Sequence, residues 1–178
     1  WVRKHVADPA PLMSVDQKVD SGEMAHDDFV ALVAKVSGKT PAEVWAGVKA
    51  EMILNKNLIA LIHELKKKYK IGLLSNFTAP WLREVMDENK LWDLFDEHII
   101  SSEHKLVKPD AKIFKKMLTM LDVAGEETVF ADDRQVNVDA AKKLGLRGFV
   151  FADVGQFVKD LKTVGVSVKP EEGSGSKG

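Results

Sequence analysis

Apolar positions repeat with two different rhythms along the chain, and the change falls near Asn57. Before it, Phe29, Leu32, Val33 and Val36 recur at helical spacing. Asp27 and Asp28 sit in the first turn of that helix, and Gly38 is its stop. A second helix opens at Thr40, which with Glu43 forms a capping box; Pro41 takes the first helical position, and Val44, Trp45, Val48 and Met52 supply the apolar face. No strand-like run occurs here, so residues 1–57 read as a small all-helical subdomain.

From Leu58 the rhythm alternates. Leu58, Ile59, Leu61, Ile62 and Leu65 mark a helix ending in Lys66, Lys67 and Lys68, charges that suit the negative helix end. Short apolar runs at Ile71–Leu74, Ile99–Ile100, Thr128–Ala131 and Gly148–Phe151 read as strands. Helices are expected around Leu82, Val85 and Met86 after Pro80, around Ile113 to Leu121, from Val138 to Leu144 before Gly145, and around Phe157, Val158 and Leu161. Strands alternating with helices predict an α/β fold: a doubly wound parallel sheet spanning residues 58–168, with the helical subdomain as a cap. Residues 169–178 hold little that could bury apolar area and are expected to form a disordered tail.

Composition narrows the function classes. The 178 residues carry 26 basic and 27 acidic side chains, a net charge of −1, which argues for neither nucleic acid nor an anionic membrane as partner. No apolar run approaches the roughly 20 residues that span a bilayer. The absence of cysteine excludes disulfides, zinc–thiolate sites and a cysteine nucleophile, and fits a cytoplasmic protein.

Ligands of open parallel sheets gather beyond the carboxyl ends of the strands. There the sequence places Ser75-Asn76, Asp132-Asp133 and, after the Ile100 strand, Lys108-Pro109-Asp110. Ser75-Asn76 alone is open between turn or N-cap chemistry and a binding role. Two adjacent carboxylates repel and normally need a cation or several donors, so Asp132-Asp133 is open between a metal site and an N-cap pair.

The ordered set is more specific than its parts. LLSN, then KPD, then FADDRQVNVDAA, within KKKYKIGLLSN, IISSEHKLVKPDAKIF and the Val129–Gly145 run, resembles motifs two, three and four of the haloacid-dehalogenase-like (HAD) hydrolases, in the branch with a helical cap. The resemblance implies a phosphatase acting on a small phosphorylated substrate with Mg²⁺. Ser75 and the Asn76 backbone N–H would then bind a phosphoryl oxygen, and Lys108 would neutralise the phosphoryl group. Asp133 would ligate the metal with Asp132 beside it, and Asn137 would orient Lys108 or the metal waters. The acidic pair favours this reading over a metal-independent dehalogenase. An inactive HAD-like binding or regulatory module is the other alternative.

The family's first motif, Asp-x-Asp after the first strand, has no counterpart in these residues. Phe149 to Asp153 comes nearest, but Val154-Gly155 follows and no second Asp is present. The family's first strand lies centrally, between the Ile71 and Val129 strands, so an upstream segment or a second chain is expected to complete the sheet, and the chain without that motif to be inactive. Trp1, His5, His26 and Trp45 are conceivable substrate contacts on the cap; packed tryptophans and exposed histidines are the favoured alternative.

Overall fold

The computed structural model describes residues 15–168; the expectations for Trp1, His5 and the 169–178 tail lie outside them. Three helices come first: α1 (Asp16–Asp20), α2 (His26–Ser37) and α3 (Pro41–Ala50). Gly38 ends α2 at φ 67°, a left-handed conformation that glycine adopts without a Cβ penalty. Thr40 and Glu43 form the expected capping box at the start of α3.

The remainder runs α4 (Lys56–Lys66), β1 (Gly72–Ser75), α5 (Ala79–Glu88), β2 (Glu97–Ile100), α6 (Ser101–His104), α7 (Ala111–Leu121), β3 (Val129–Asp132), α8 (Gln135–Lys142), β4 (Arg147–Val150) and α9 (Val154–Thr163). Each expected strand forms, displaced by a residue or two. The one-turn helix α6 is not among the expected elements; it lies in the segment between β2 and Lys108.

All strand pairing is parallel. β1 pairs with β2, setting Ser75 opposite Ile100, and β3 pairs with β4, setting Asp132 opposite Val150. Among the described residues no ladder joins β1 to β3, so the sheet consists of two pairs. They nevertheless share one core. Ile99, Ile113, Phe114, Met117, Leu121, Ala141 and Leu146 are buried together, with Leu74 of β1 and Phe130 of β3 packed against them. On the opposite face Val129 and Ala131 pack with Phe149, Leu61, Phe157 and Leu161. Alternate residues of β3 thus point to opposite helix layers, as strand periodicity requires. The fold is α/β with helices on both sheet faces. No helix among the described residues is long and apolar enough to cross a membrane.

The first helices have their own cluster: Val15, Val19, Phe29, Val30, Val33, Ala34 and Val44. Trp81 of α5 joins it although it follows β1 in the chain. Its ring stacks on Trp45 at 4.9 Å and 9°, and meets His26 edge-on at 5.0 Å. Gly22 lets the chain after α1 approach the Ser102 carbonyl so closely that a Cβ there would collide with it.

Candidate functional site

β1 and β3 end at the same rim, and Lys108 joins them. Its Nζ donates to the Leu74 carbonyl at 2.7 Å and to Asp132 Oδ2 at 2.7 Å, with only 10% of the lysine side chain and 5% of the aspartate's exposed. The buried carboxylate is held on its other oxygen too: Oδ1 accepts from Arg134 N at 2.9 Å and from Asn137 Nδ2 at 2.8 Å. Burial alone pushes the Asp132 carboxyl up. The Lys108 ammonium, the Arg134 N–H and the Asn137 amide outweigh it and keep the group below the usual carboxylate value.

These bonds bear on two readings the sequence left open. The N-cap of α8 is Arg134, with no side-chain cap bond, so the acidic pair is not a helix cap. Asn137 hydrogen-bonds Asp132, which in turn bonds Lys108. Its Oδ1 is buried without a partner among the described residues.

Asn76 meets Lys108 at the other end. Its Nδ2 donates to the Lys108 carbonyl at 2.9 Å, and its Oδ1 accepts from the Lys108 N–H at 2.8 Å. Ser75, which follows Leu74, makes no side-chain hydrogen bond among the described residues. Asp133, next to Asp132, is exposed and also lacks a partner among them. Lys108, Asp132, Asn137 and Asn76 therefore touch directly, and Ser75 and Asp133 each adjoin a residue that bonds the lysine.

Sequence reasoning missed the hydroxyls behind this rim. Ser101, fully buried at the end of β2, accepts from Phe77 N at 3.0 Å, and Ser102 accepts from Ala79 N at 2.9 Å. Two serines after a buried strand, across from Ser75, were the available signal. Thr78, 3% exposed, bonds His26 Nδ1 at 2.8 Å. His26 is thus half-buried and not exposed as favoured, because Thr78 and Trp81 enclose one side of it; burial lowers its pKa against the opposing charge of Asp27. Trp45 packs on Trp81 and donates to Glu84 at 2.7 Å, the structural role favoured for it. Asp153, at the end of the rejected Phe149 run, caps α9 by accepting from Gln156 N at 2.8 Å.

The rim suits a hard cation in kind. Asp133 offers a carboxylate and Asn137 a buried oxygen, both without a partner among the described residues, and Asp132 a second carboxylate whose oxygens already accept from Lys108, Arg134 and Asn137. No cluster of three or more His, Cys, Asp or Glu exists among the described residues, so those residues by themselves provide no complete cage. A cation that retains waters and binds substrate oxygens needs only one or two carboxylates.

Comparison with known proteins gives a consistent picture. The model described as haloacid dehalogenase-like hydrolase matches residues 28–151. A sesquiterpene phosphatase of Aspergillus oryzae is 31% identical over 141 residues, covering 77% of this chain and 72% of the relative. A D-ribitol-5-phosphate phosphatase of Bacteroides thetaiotaomicron is 30% identical over 144 residues, covering 75% and 69%. Among solved structures, a HAD-family enzyme of Bacteroides thetaiotaomicron, an aspartate-to-alanine mutant in complex with magnesium and inorganic phosphate, superposes with a TM-score of 0.75 at 21% identity, covering 87% of this chain and 86% of that one. At that identity the likeness concerns the fold.

Proposed function

The chain belongs to the haloacid dehalogenase-like hydrolase family, and on that premise we propose that it is a Mg²⁺-dependent phosphatase of small phosphomonoesters. The observation that carries this reading is the Lys108 ammonium, held at 2.7 Å by both the Leu74 carbonyl and Asp132 where β1 and β3 end. A fixed, nearly dehydrated cation, with a hydroxyl and a carboxylate unpartnered among the described residues on the chain neighbours of the groups that hold it, is a setting for a doubly charged phosphoryl group. The phosphatase names of the two relatives support the same chemistry.

In this reading Ser75 Oγ and the Asn76 N–H donate to phosphoryl oxygens. Lys108 neutralises the phosphoryl group as negative charge shifts onto the leaving oxygen. Asp132, itself bonded to Lys108, fixes the direction of the ammonium. Asp133, with Asp132 and the Asn137 oxygen nearby, would hold Mg²⁺. When bound, that ion supplies charge neutralisation and orientation of the phosphate.

The attacking carboxylate is proposed to come from a further parallel strand between β1 and β3, carried on an upstream segment or on a second chain. Both strands are unpaired on one edge among the described residues, and Lys108 spans them. Attack on phosphorus would form an aspartyl-phosphate and release the alcohol; water would then release inorganic phosphate and regenerate the carboxylate.

The test is p-nitrophenyl phosphate turnover by the full-length protein. Mg²⁺ should support it, chelation should abolish it, and Asp133→Asn should lower kcat/KM by about 100-fold or more. Turnover that survives both chelation and Asp133→Asn would refute the proposal.

A further inference from the structure

The Lys108 ammonium is anchored at β1 and β3, but its backbone belongs to the segment between α6 and α7, which lies in neither strand. The backbone bonds of that segment are local: Lys105 N–H donates to the Ser101 carbonyl, Leu106 N–H reaches the same carbonyl at 3.4 Å, and Asp110 N–H donates to Val107 at 2.9 Å. None of them ties Lys108 itself to the sheet.

Asn76 supplies that tie. Its amide meets the N–H and the C=O of Lys108 at 2.8 and 2.9 Å, the two-bond pattern by which one peptide unit pairs with another. Asparagine is suited to this because one short side chain carries a donor and an acceptor; aspartate lacks the donor, and glutamine is a methylene longer. The base of the clamp is rigid in turn. Phe77 and Ala79, following Asn76, are fixed through their N–H groups by Ser101 and Ser102. Leu74, two residues before it, receives the ammonium. Residues 74–76 therefore hold Lys108 at both ends, backbone and head group.

We infer that the Asn76 side chain is a positioning residue for Lys108, distinct from the phosphoryl contact proposed for its backbone N–H. Without the amide, the lysine backbone loses its link to β1, and the head group can reach Asp132 only from a displaced segment. The inference rests on the proposed role of Lys108 for its effect on catalysis, and on geometry alone for the clamp.

Asn76→Ala separates the two parts, because it deletes the clamp and keeps the backbone N–H. In the full-length protein, amide hydrogen exchange at Lys108 should speed up roughly tenfold or more in Asn76→Ala, the scale of a lost hydrogen bond, with the β1–β2 amides unchanged. In p-nitrophenyl phosphate turnover, Asn76→Ala should lower kcat by about tenfold, and Asn76→Ala/Lys108→Ala should be no slower than Lys108→Ala alone. Unchanged exchange at Lys108, or losses that multiply in the double variant, would overturn the inference. Full activity of Lys108→Ala would instead overturn the phosphatase assignment of the lysine, and the exchange result would still decide the clamp.

Discussion

At the carboxyl end of β1 the ties between side chains and backbone are neutral apart from the Lys108 ammonium on the Leu74 carbonyl: Ser101 and Ser102 take the Phe77 and Ala79 N–H groups, and the Asn76 amide pairs with the Lys108 peptide. At the end of β3 the ties converge on one charge, the Asp132 carboxylate, which gathers Lys108, Arg134 N and Asn137. The two ends hold the same lysine by different physics. Neutral hydrogen bonds of this kind fix distance and direction and respond little to pH. A buried carboxylate is fixed only while it is ionised and paired, and it repays its desolvation only through partners of good geometry.

The largest effect should come from breaking the charged end. Lys108→Met leaves Asp132 buried without its ammonium, a change worth about 3–5 kcal/mol of stability near neutral pH. Urea denaturation measures it. Its pH dependence identifies the cause. In the native protein the Asp132 carboxyl is held below its ordinary value, so its contribution is complete above the unfolded carboxylate range and fades as pH falls through the lower folded value. Without Lys108, the burial that pushes this carboxyl up is no longer outweighed by the ammonium. The deficit of the variant relative to the native protein should therefore shrink as pH is lowered and the orphaned group protonates. A deficit constant from pH 7 to pH 4 would mean that lost packing, not charge, dominates.

Breaking the neutral end should cost less. Ser101→Ala leaves the Phe77 N–H without its acceptor, about 1–3 kcal/mol. That loss should stay flat over the same pH range in urea titrations, because no group at this end changes charge with the bond. A strongly pH-dependent loss would show that the two ends are coupled through Lys108 more tightly than the hydrogen bonds imply.

The smallest effect separates the two adjacent aspartates. Asp133 is exposed and has no partner among the described residues, so Asp133→Asn should change the unfolding free energy by within about 0.5 kcal/mol, although the same variant is expected to lose metal-dependent turnover. A large destabilisation would give Asp133 a structural role.

Much of this rim could be read before the structure. Strand ends are marked by apolar runs that stop at polar residues, so Ser75, Asn76, Asp132 and Asp133 could be placed on one side of a parallel sheet, and the capping box at Thr40 and the stop at Gly38 are local signals that packing left undisturbed. The partners chosen across the fold were not legible. Which carboxylate takes Lys108 depends on how deeply each is buried, and Asp132 and Asp133 look alike in sequence. The Asn76 clamp joins residues 32 apart, and Trp81 lies after β1 in the chain yet packs with the first helices. The two strand pairs were likewise beyond periodicity, which reports a strand and not its neighbour.

Lys108, poised between β1 and β3, is proposed to receive a phosphate. Titration calorimetry of inorganic phosphate into the full-length protein at saturating Mg²⁺ tests this without requiring turnover. The native protein should bind phosphate, and Lys108→Met, under conditions where circular dichroism shows it folded, should bind at least about tenfold more weakly, the scale of one charge-assisted hydrogen bond. Equal affinity in the two proteins would contradict it.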